Sequence, residues 1–477
     1  MLFNSYVFVL LFAVTFALYY APGLGRLQVP LLIASSFVFY GYSEPWLLLL
    51  LVASILINAI CSFQVNQTYA PVPRRAWAAA GVVLNLAILL FFKYSPLTAR
   101  ILRLDYWEEG SVGHFLVHIP LPIGISFFTF QGISLMVDVF RQKPGAAAES
   151  VHVGGFWPYL LKTAFFKSFF PQLVAGPIVK AHDFYPQIRH KRLQDVPWEA
   201  AFRALVLGYF MKMVVADNLK DLTFWLAPGR YETFSSPALL LILFGYSMQI
   251  FADFAGYSLI AIGLARAFGY ELMQNFNFPY LSQSLSEFWR RWHISLSTWL
   301  KEYLYIPLGG NRRGEGRTYI NLITVMLLGG LWHGAAISYA VWGLVHGLGL
   351  AVERFATRRR TQRTGEAAPF SFVRMLLVFG FVSLAWLLFK LPNFRDVLGY
   401  FAAVGTNWGI ETDPVFVGYL MLYSSPVVLW HAWEWWRSRG ARAPVFGRTS
   451  LSFGYGACLA LLLLNSGSAG DFIYFQF

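Results

Sequence analysis

The sequence predicts an all-α, multi-pass membrane protein, and three observations carry that prediction. Hydrophobic residues make up 57% of the chain and charged residues only 13%, with a mean hydropathy of +0.52, so a water-facing surface cannot be kept over 477 residues. Apolar runs of membrane-crossing length recur from one end of the chain to the other. Lys and Arg gather in a few connections between those runs. A length that would suggest several soluble domains therefore reads as one polytopic bundle, residues 1–477 forming a single integral membrane domain.

The amino-terminal stretch MLFNSYVFVLLFAVTFALYY is apolar, has no Lys or Arg before Arg26 and lacks a small-residue cleavage site, so it reads as a retained span. Further candidate spans fall near 29–42, 46–61, 77–93, 117–139, 155–178, 199–217, 236–267, 318–336, 337–353, 371–390, 415–433 and 450–466. Some are too short, or too rich in Pro and Gly, to be simple crossings, which leaves an expectation of about eleven transmembrane helices plus re-entrant and interfacial helices.

The basic residues lie at Arg74 and Arg75, Arg141 and Lys143, 180–192, 290–317, 354–363 and 437–448. The positive-inside rule assigns these connections to the cytoplasm and makes the net charge of +13 a topology and lipid signal that needs no nucleic acid. The acidic stretches 105–110 and 393–413 then face outward, with the amino terminus on the outer side. The segment RFATRRRTQRTGEAA, 354–368, reads as a solvated cytoplasmic loop. Cys61 and Cys458 lie in or beside apolar spans and supply neither a disulfide framework nor a four-cysteine metal site. Isolated histidines and scattered acids make no ligand set, so no metal or bound organic cofactor is demanded.

Chemistry-bearing residues enter along the chain in a definite order. LPIGISFFTFQGIS, 121–134, and FPQLVAGPIVK, 170–180, mix Pro, Gly, Gln and Ser into apolar runs, as broken helices do where they pack on protein or line a wet cavity. YSMQIFADFAGYS, 246–258, places Gln249, Asp253 and Ser258 inside a span. An intramembrane carboxylate must be paired, protonated or facing water, so Asp253 is an ion-pair partner or a substrate-orienting group. In SLSEFWRRWHISLSTWLKEYLYIPLGGNRRG, 284–314, Ser284 and Glu287 have capping-box spacing and Pro307, Gly309 and Gly310 stop the helix. Trp289, Trp292, Leu296, Trp299 and Tyr303 step by three and four, which predicts one aromatic face on an interfacial or groove-bound helix, with Glu287 and Arg291 able to pair. His293 on it is a headgroup-level residue or a functional one. Arg290, Arg291, Arg312 and Arg313 suit anionic lipid headgroups or the phosphates of a donor. LGGLWHGAAIS, 328–338, sets His333 between Trp332 and small residues, an intramembrane imidazole and hence a functional candidate.

Taken together, the WRRWHISLSTWLKEYLYIPLGGNRRG, LGGLWHGA, LPIGISFFTFQ, AGP and ADFAGYSLIAIGLA segments resemble the membrane-bound O-acyltransferases, within them the bacterial branch that includes the alginate O-acetylation membrane subunit. The likeness covers most of the chain and is strongest over about 120–350. It implies that His333 is catalytic and that His293 matches a second family histidine. One departure is Phe389-Lys390-Leu391, where an Arg-Ala pair after the phenylalanine is expected.

Acyl transfer from a thioester to a hydroxyl needs a base for the hydroxyl proton, a donor for the oxyanion and exclusion of water. His333 is then the general base and His293 orients the acceptor or stabilises developing charge. Arg290, Arg291, Arg312 and Arg313 contact the donor phosphates, and Asp253, Gln249 and Trp332 line the substrate path. The resemblance implies acetyl-CoA as acyl donor, a periplasmic or extracellular acetyltransferase partner with exopolysaccharide machinery, and a bacterial inner-membrane location. Related branches acylate proteins, lipids or cell-wall carriers. A transporter or flippase with a mid-membrane site is the alternative of another class, and a scaffold that recruits a soluble acetyltransferase is a third.

Overall fold

The computed structural model describes residues 1–142, 155–174, 176–364, 370–439, 448–468 and 472. Lys143, His152, Ala175 and residues 365–368 and 440–447 of the basic connections lie outside these. Among the described residues all regular structure is helical, and five helices are long and apolar enough to cross a membrane: Leu47–Gln67, Pro71–Ile101, Ser236–Ala267, Phe372–Lys390 and Pro414–Arg437. The other expected spans are also helical, several of them shorter than the roughly 20 residues that cross a bilayer without tilt or thinning. Two compact units result, 1–205 with 260–273 and 206–259 with 274–477.

The first unit holds α1 (Tyr6–Tyr19), α2 (Gln28–Gly41), α3 (Leu47–Gln67), α4 (Pro71–Ile101), α5 (Ile125–Arg141) and α6 (Phe156–Ser168). Ser5 caps α1 by accepting from Phe8 N at 3.3 Å, and Pro71 sits in the first turn of α4, where its missing N–H costs nothing. Polar side chains buried between these helices pair with one another, as an apolar surround requires. Asn58 and Asn85 exchange amide hydrogen bonds of 3.1 and 2.9 Å, and Gly132 leaves room for them, since a Cβ there would meet Asn85 Oδ1 at 2.5 Å. The two Pro- and Gly-bearing stretches also meet: Gly124, at φ 78°, approaches Leu173 so closely that a Cβ would lie 2.6 Å from its carbonyl oxygen.

The second unit contains most of α7 (Ser236–Ala267), then α8 (Leu285–Arg291), α9 (Ile294–Leu300), α10 (Glu315–His333), α11 (Ile337–Thr364), α12 (Phe372–Lys390) and α13 (Pro414–Arg437). Helices α10 and α11 form a hairpin packed backbone to backbone through glycines. A Cβ on Gly330 would stand 2.2 Å from the Tyr339 carbonyl oxygen, and one on Gly343 2.3 Å from that of Met326, the close approach that small residues permit between membrane helices.

Two expectations are corrected here. The segment 354–368 is not a loop from its start, because α11 runs on through Thr364. The single helix expected from Ser284 is broken at His293, which takes the left-handed conformation at φ 42° and leaves α8 and α9 as separate short helices. The cause is the extended run 274–278 beside it. Asn275 O accepts from Ile294 N at 2.9 Å, and Asn277 N donates to Arg291 O at 2.9 Å, so backbone groups that a continuous helix would use are taken from outside it. The aromatic residues consequently do not share one interfacial face: Trp292 and Trp299 are buried. The start of α8 is as expected. Ser284 Oγ accepts from Glu287 N at 3.0 Å, and Glu287 pairs with Arg291 at 2.9 Å.

Candidate active site

His333 is the last residue of α10 and is buried. Its ring lies 5.0 Å from Trp332, 5.3 Å from Trp342 and 5.0 Å from Phe389, centroid to centroid. The glycine after it has a steric reason: a Cβ on Gly334 would fall 2.2 Å from the Tyr339 ring. Within LGGLWHGA, then, Gly330 and Gly334 hold α11 against the helix that ends in the histidine.

His293 is fully buried and meets the other face of the problem, orientation. Its Nδ1 lies 3.1 Å from Asn275 Oδ1, and its ring stands edge-on to Phe254 at 4.6 Å. Asn275 Oδ1 also accepts from Ser295 N at 3.2 Å and Ser295 Oγ at 2.9 Å, while its Nδ2 donates to Ser258 Oγ at 3.2 Å. The amide oxygen being the acceptor, Nδ1 of His293 carries the proton and Nε2 is the basic nitrogen. Trp332 links the two histidines, its ring 6.2 Å from that of His293 as well as touching His333.

Gln249 and Asp253 line a cavity of about 1170 Å³ in the same unit. Asp253 is one arm of a buried triad in which Lys212 Nζ meets Asp217 Oδ1 at 2.7 Å and Asp253 Oδ1 at 2.8 Å. One ammonium thus serves two carboxylates, and Gln249 Oε1 accepts from Thr223 Oγ1 at 2.5 Å. Gly334, Tyr339 and Phe389 are among its lining residues, so the cavity borders the residue after His333 and the Phe389 ring that packs on it, while His333 itself does not line it. Lys390 closes another side, its ammonium 5.3 Å from the Tyr246 ring centroid.

The four arginines do not join this site. Arg290, Arg312 and Arg313 are exposed, Arg291 is engaged by Glu287 and by Asn277 O at 3.1 Å, and none of them lines the cavity. Sequence reasoning missed Lys212, Asp217 and Asn275. Lys212 sits in the apolar run FMKMVVA, wound as a π-helical turn, where a lone charge was a usable signal; Asn275 lies in an irregular segment that carried none.

Asn275 provides a direct test of this arrangement. Asn275→Leu removes the partner of a buried imidazole, a loss of about 1–3 kcal/mol, so turnover is expected to fall roughly tenfold or more with the Michaelis constant for donor little changed. Asn275→Asp, which keeps an acceptor at that position, should recover most of it. Steady-state acyl transfer by the purified protein, at matched monodispersity, makes the comparison.

Comparison with known proteins gives the family. The family model described as "MBOAT, membrane-bound O-acyltransferase family" fits residues 156–394, a span that includes His293, His333 and Lys390. A "probable alginate O-acetylase" of Pseudomonas aeruginosa is 38% identical over 399 residues, covering 83% of this chain and 73% of that one. Its namesake in Pseudomonas putida is 36% identical over 437 residues, 88% and 86%. A peptidoglycan O-acetyltransferase of Helicobacter pylori is 36% identical over 388 residues, 77% and 72%. These matches establish that the chain belongs to the membrane-bound O-acyltransferase family and is an O-acyltransferase.

Proposed function

We propose that this protein transfers acetyl groups from acetyl-CoA on the cytoplasmic side toward a polysaccharide exported across the bacterial inner membrane, directly or through a periplasmic or extracellular acetyltransferase partner. The names of the relatives support the acetyl group and the glycopolymer acceptor. The observation that carries the reading is the position of His333 at the far end of α10 from an arginine-rich start and next to a cavity in the same unit. The 19 residues of α10 rise about 1.5 Å each, so His333 lies roughly 27 Å from the helix start. That start adjoins the exposed Arg312, Arg313 and Arg317, a cytoplasmic signature. The cavity beside His333 is walled by 390–393 and Asp396, next to the connection 393–413 that the charge bias of the sequence assigns to the outer side. The bundle of about eleven spans with re-entrant pieces is the arrangement in which donor and acceptor would approach from opposite sides.

His333 takes the proton of the acceptor hydroxyl as its oxygen attacks the thioester carbonyl. The carbon–sulfur bond breaks, the thiolate leaves, and the imidazolium returns the proton to it, so the products are an ester and a free thiol. His293, held through Nδ1, presents Nε2 to the acceptor or to developing charge, and the indole and phenyl rings around His333 exclude water. Basic side chains on the cytoplasmic face supply the contacts for the donor's phosphates.

Sealed proteoliposomes with labelled acetyl-CoA on one side and polysaccharide with its partner enzyme on the other test this. Ester-linked label in the polymer, with one thiol released per ester, is expected. Movement of polymer or lipid without any need for the thioester would replace this reading with transport.

A further inference from the structure

We propose that Trp332, Trp342 and Phe389 form an aromatic cage that stabilises His333 in its positively charged, imidazolium form, with Trp342 the principal member. This rests on reading His333 as the general base and adds to that reading the groups that offset the charge it gains.

The chemistry sets the requirement. Taking the acceptor's proton turns a neutral ring into a cation inside the membrane, and giving that proton to the departing thiolate makes the ring neutral again. A charge that exists only between those two events has to be met by groups already in place, because a water-poor interior cannot reorganise around it. Aromatic faces can supply this, since their quadrupoles attract a cation within about 6 Å of the ring centroid, and indole does so most strongly. The rings of Trp332, Trp342 and Phe389 lie 5.0, 5.3 and 5.0 Å from that of His333, at interplanar angles of 71°, 88° and 68°. All three are therefore in range, and all three stand edge to face with the imidazole.

Each ring comes from a different helix and is fixed before the charge forms. Trp332 precedes His333 on α10, Trp342 is on α11 and Phe389 on α12. Trp342 is 1% exposed, and the adjoining Gly343 is where α11 closes on the Met326 carbonyl of α10, so the glycine seam sets its height. Trp386 stacks on it at 5.8 Å and 20°, and the Phe389 ring lies 4.9 Å away. Exclusion of water would be served as well by leucine or phenylalanine. Indole at 342 instead buries an N–H that meets no acceptor among the described residues, a cost that a hydrocarbon side chain avoids. What indole adds is an electron-rich face. The lysine that follows Phe389, Lys390, lies over a different ring, that of Tyr246, at 5.3 Å. Trp342 touches no substrate and acts through His333, as a positioning residue whose task is electrostatic. His346, fully buried, also packs on Trp342, at 4.6 Å, so the test has to tell two imidazoles apart.

Fluorinated tryptophans do this, because each fluorine withdraws electron density from the ring face while nearly preserving its shape. Placed at position 342 alone, the mono-, di-, tri- and tetrafluoro forms should lower log kcat steadily with the number of fluorines, by about tenfold or more over the series. The Michaelis constant for acetyl-CoA and the thermal midpoint should stay nearly constant, which separates charge stabilisation from packing. The rate is thiol release from saturating acetyl-CoA in the proteoliposomes described above. The same series at Trp289, which packs on His346 at 5.3 Å and on Trp342 at 5.6 Å, should be flat. A flat series at Trp342 overturns the proposal, and so does an equal slope at Trp289, which would assign the effect to His346. The two readings fail separately: acetylation that survives His333→Ala ends the general-base reading, whereas a flat series in a protein that needs His333 ends only the cage.

Discussion

Cells carrying His333→Ala are expected to lose ester-linked acetyl from their exported polysaccharide by about a hundredfold or more while exporting the polymer normally. Removing a positioned general base typically costs 10²–10⁴ in rate, roughly 3–5 kcal/mol of barrier. The rings of Trp332, Trp342 and Phe389 that pack on it offer no base to take its place. Alanine leaves a small gap at a helix end without disturbing the glycine contacts of the hairpin, so the protein should reach the membrane at its usual level. Base-released acetate from purified polymer, normalised to membrane content of the protein, gives the readout. Unchanged acetylation at equal protein level would remove His333 from the mechanism; loss of the polymer itself would favour transport.

A second large effect is expected at Lys212, on stability. Lys212→Met leaves Asp217 and Asp253, 3% and 4% exposed, facing one another with no cation between them. Breaking a buried ion pair from one side costs about 3–5 kcal/mol, because the orphaned charge stays desolvated. The thermal midpoint in detergent should fall by roughly 6 °C or more, measured by size-exclusion after heating. Asp217→Asn and Asp253→Asn introduced together with Lys212→Met should restore most of it, since neutral amides can remain buried where carboxylates cannot. A midpoint unmoved by Lys212→Met would mean that the triad contributes no net stabilisation.

The helical framework was legible because apolar length is itself the physical requirement for crossing lipid. The run expected over 236–267 is the helix Ser236–Ala267, and 371–390 appears as Phe372–Lys390. Local chemistry was equally readable where partners are close in sequence, as with Ser284 and Glu287. It failed where the deciding partner is remote or unremarkable in type. The break at His293 is imposed by Asn275, 18 residues earlier, with no proline or glycine at the break to announce it. The ion pair of Asp253 was foreseeable as a need, yet its partner Lys212 sits in another helical segment. The arginines are near in sequence, and folding leaves three of them on the surface and ties the fourth to Glu287, a placement that their spacing did not reveal.

The glycine seam between α10 and α11 also limits how the molecule can move. Where two backbones touch with no side chains between them, a shift of even one residue would drive a neighbouring side chain into a space that holds none. The hairpin must therefore travel as one stiff body, carrying His333 with it, and cannot open like a pair of blades. Any change of access to the cavity is then left to the connections that border it, among them Leu391, Pro392 and Asn393. On the role proposed for His333, the chemistry belongs to the hairpin and access to the connections, so the rate of entry and the rate of reaction can be tuned by separate residues.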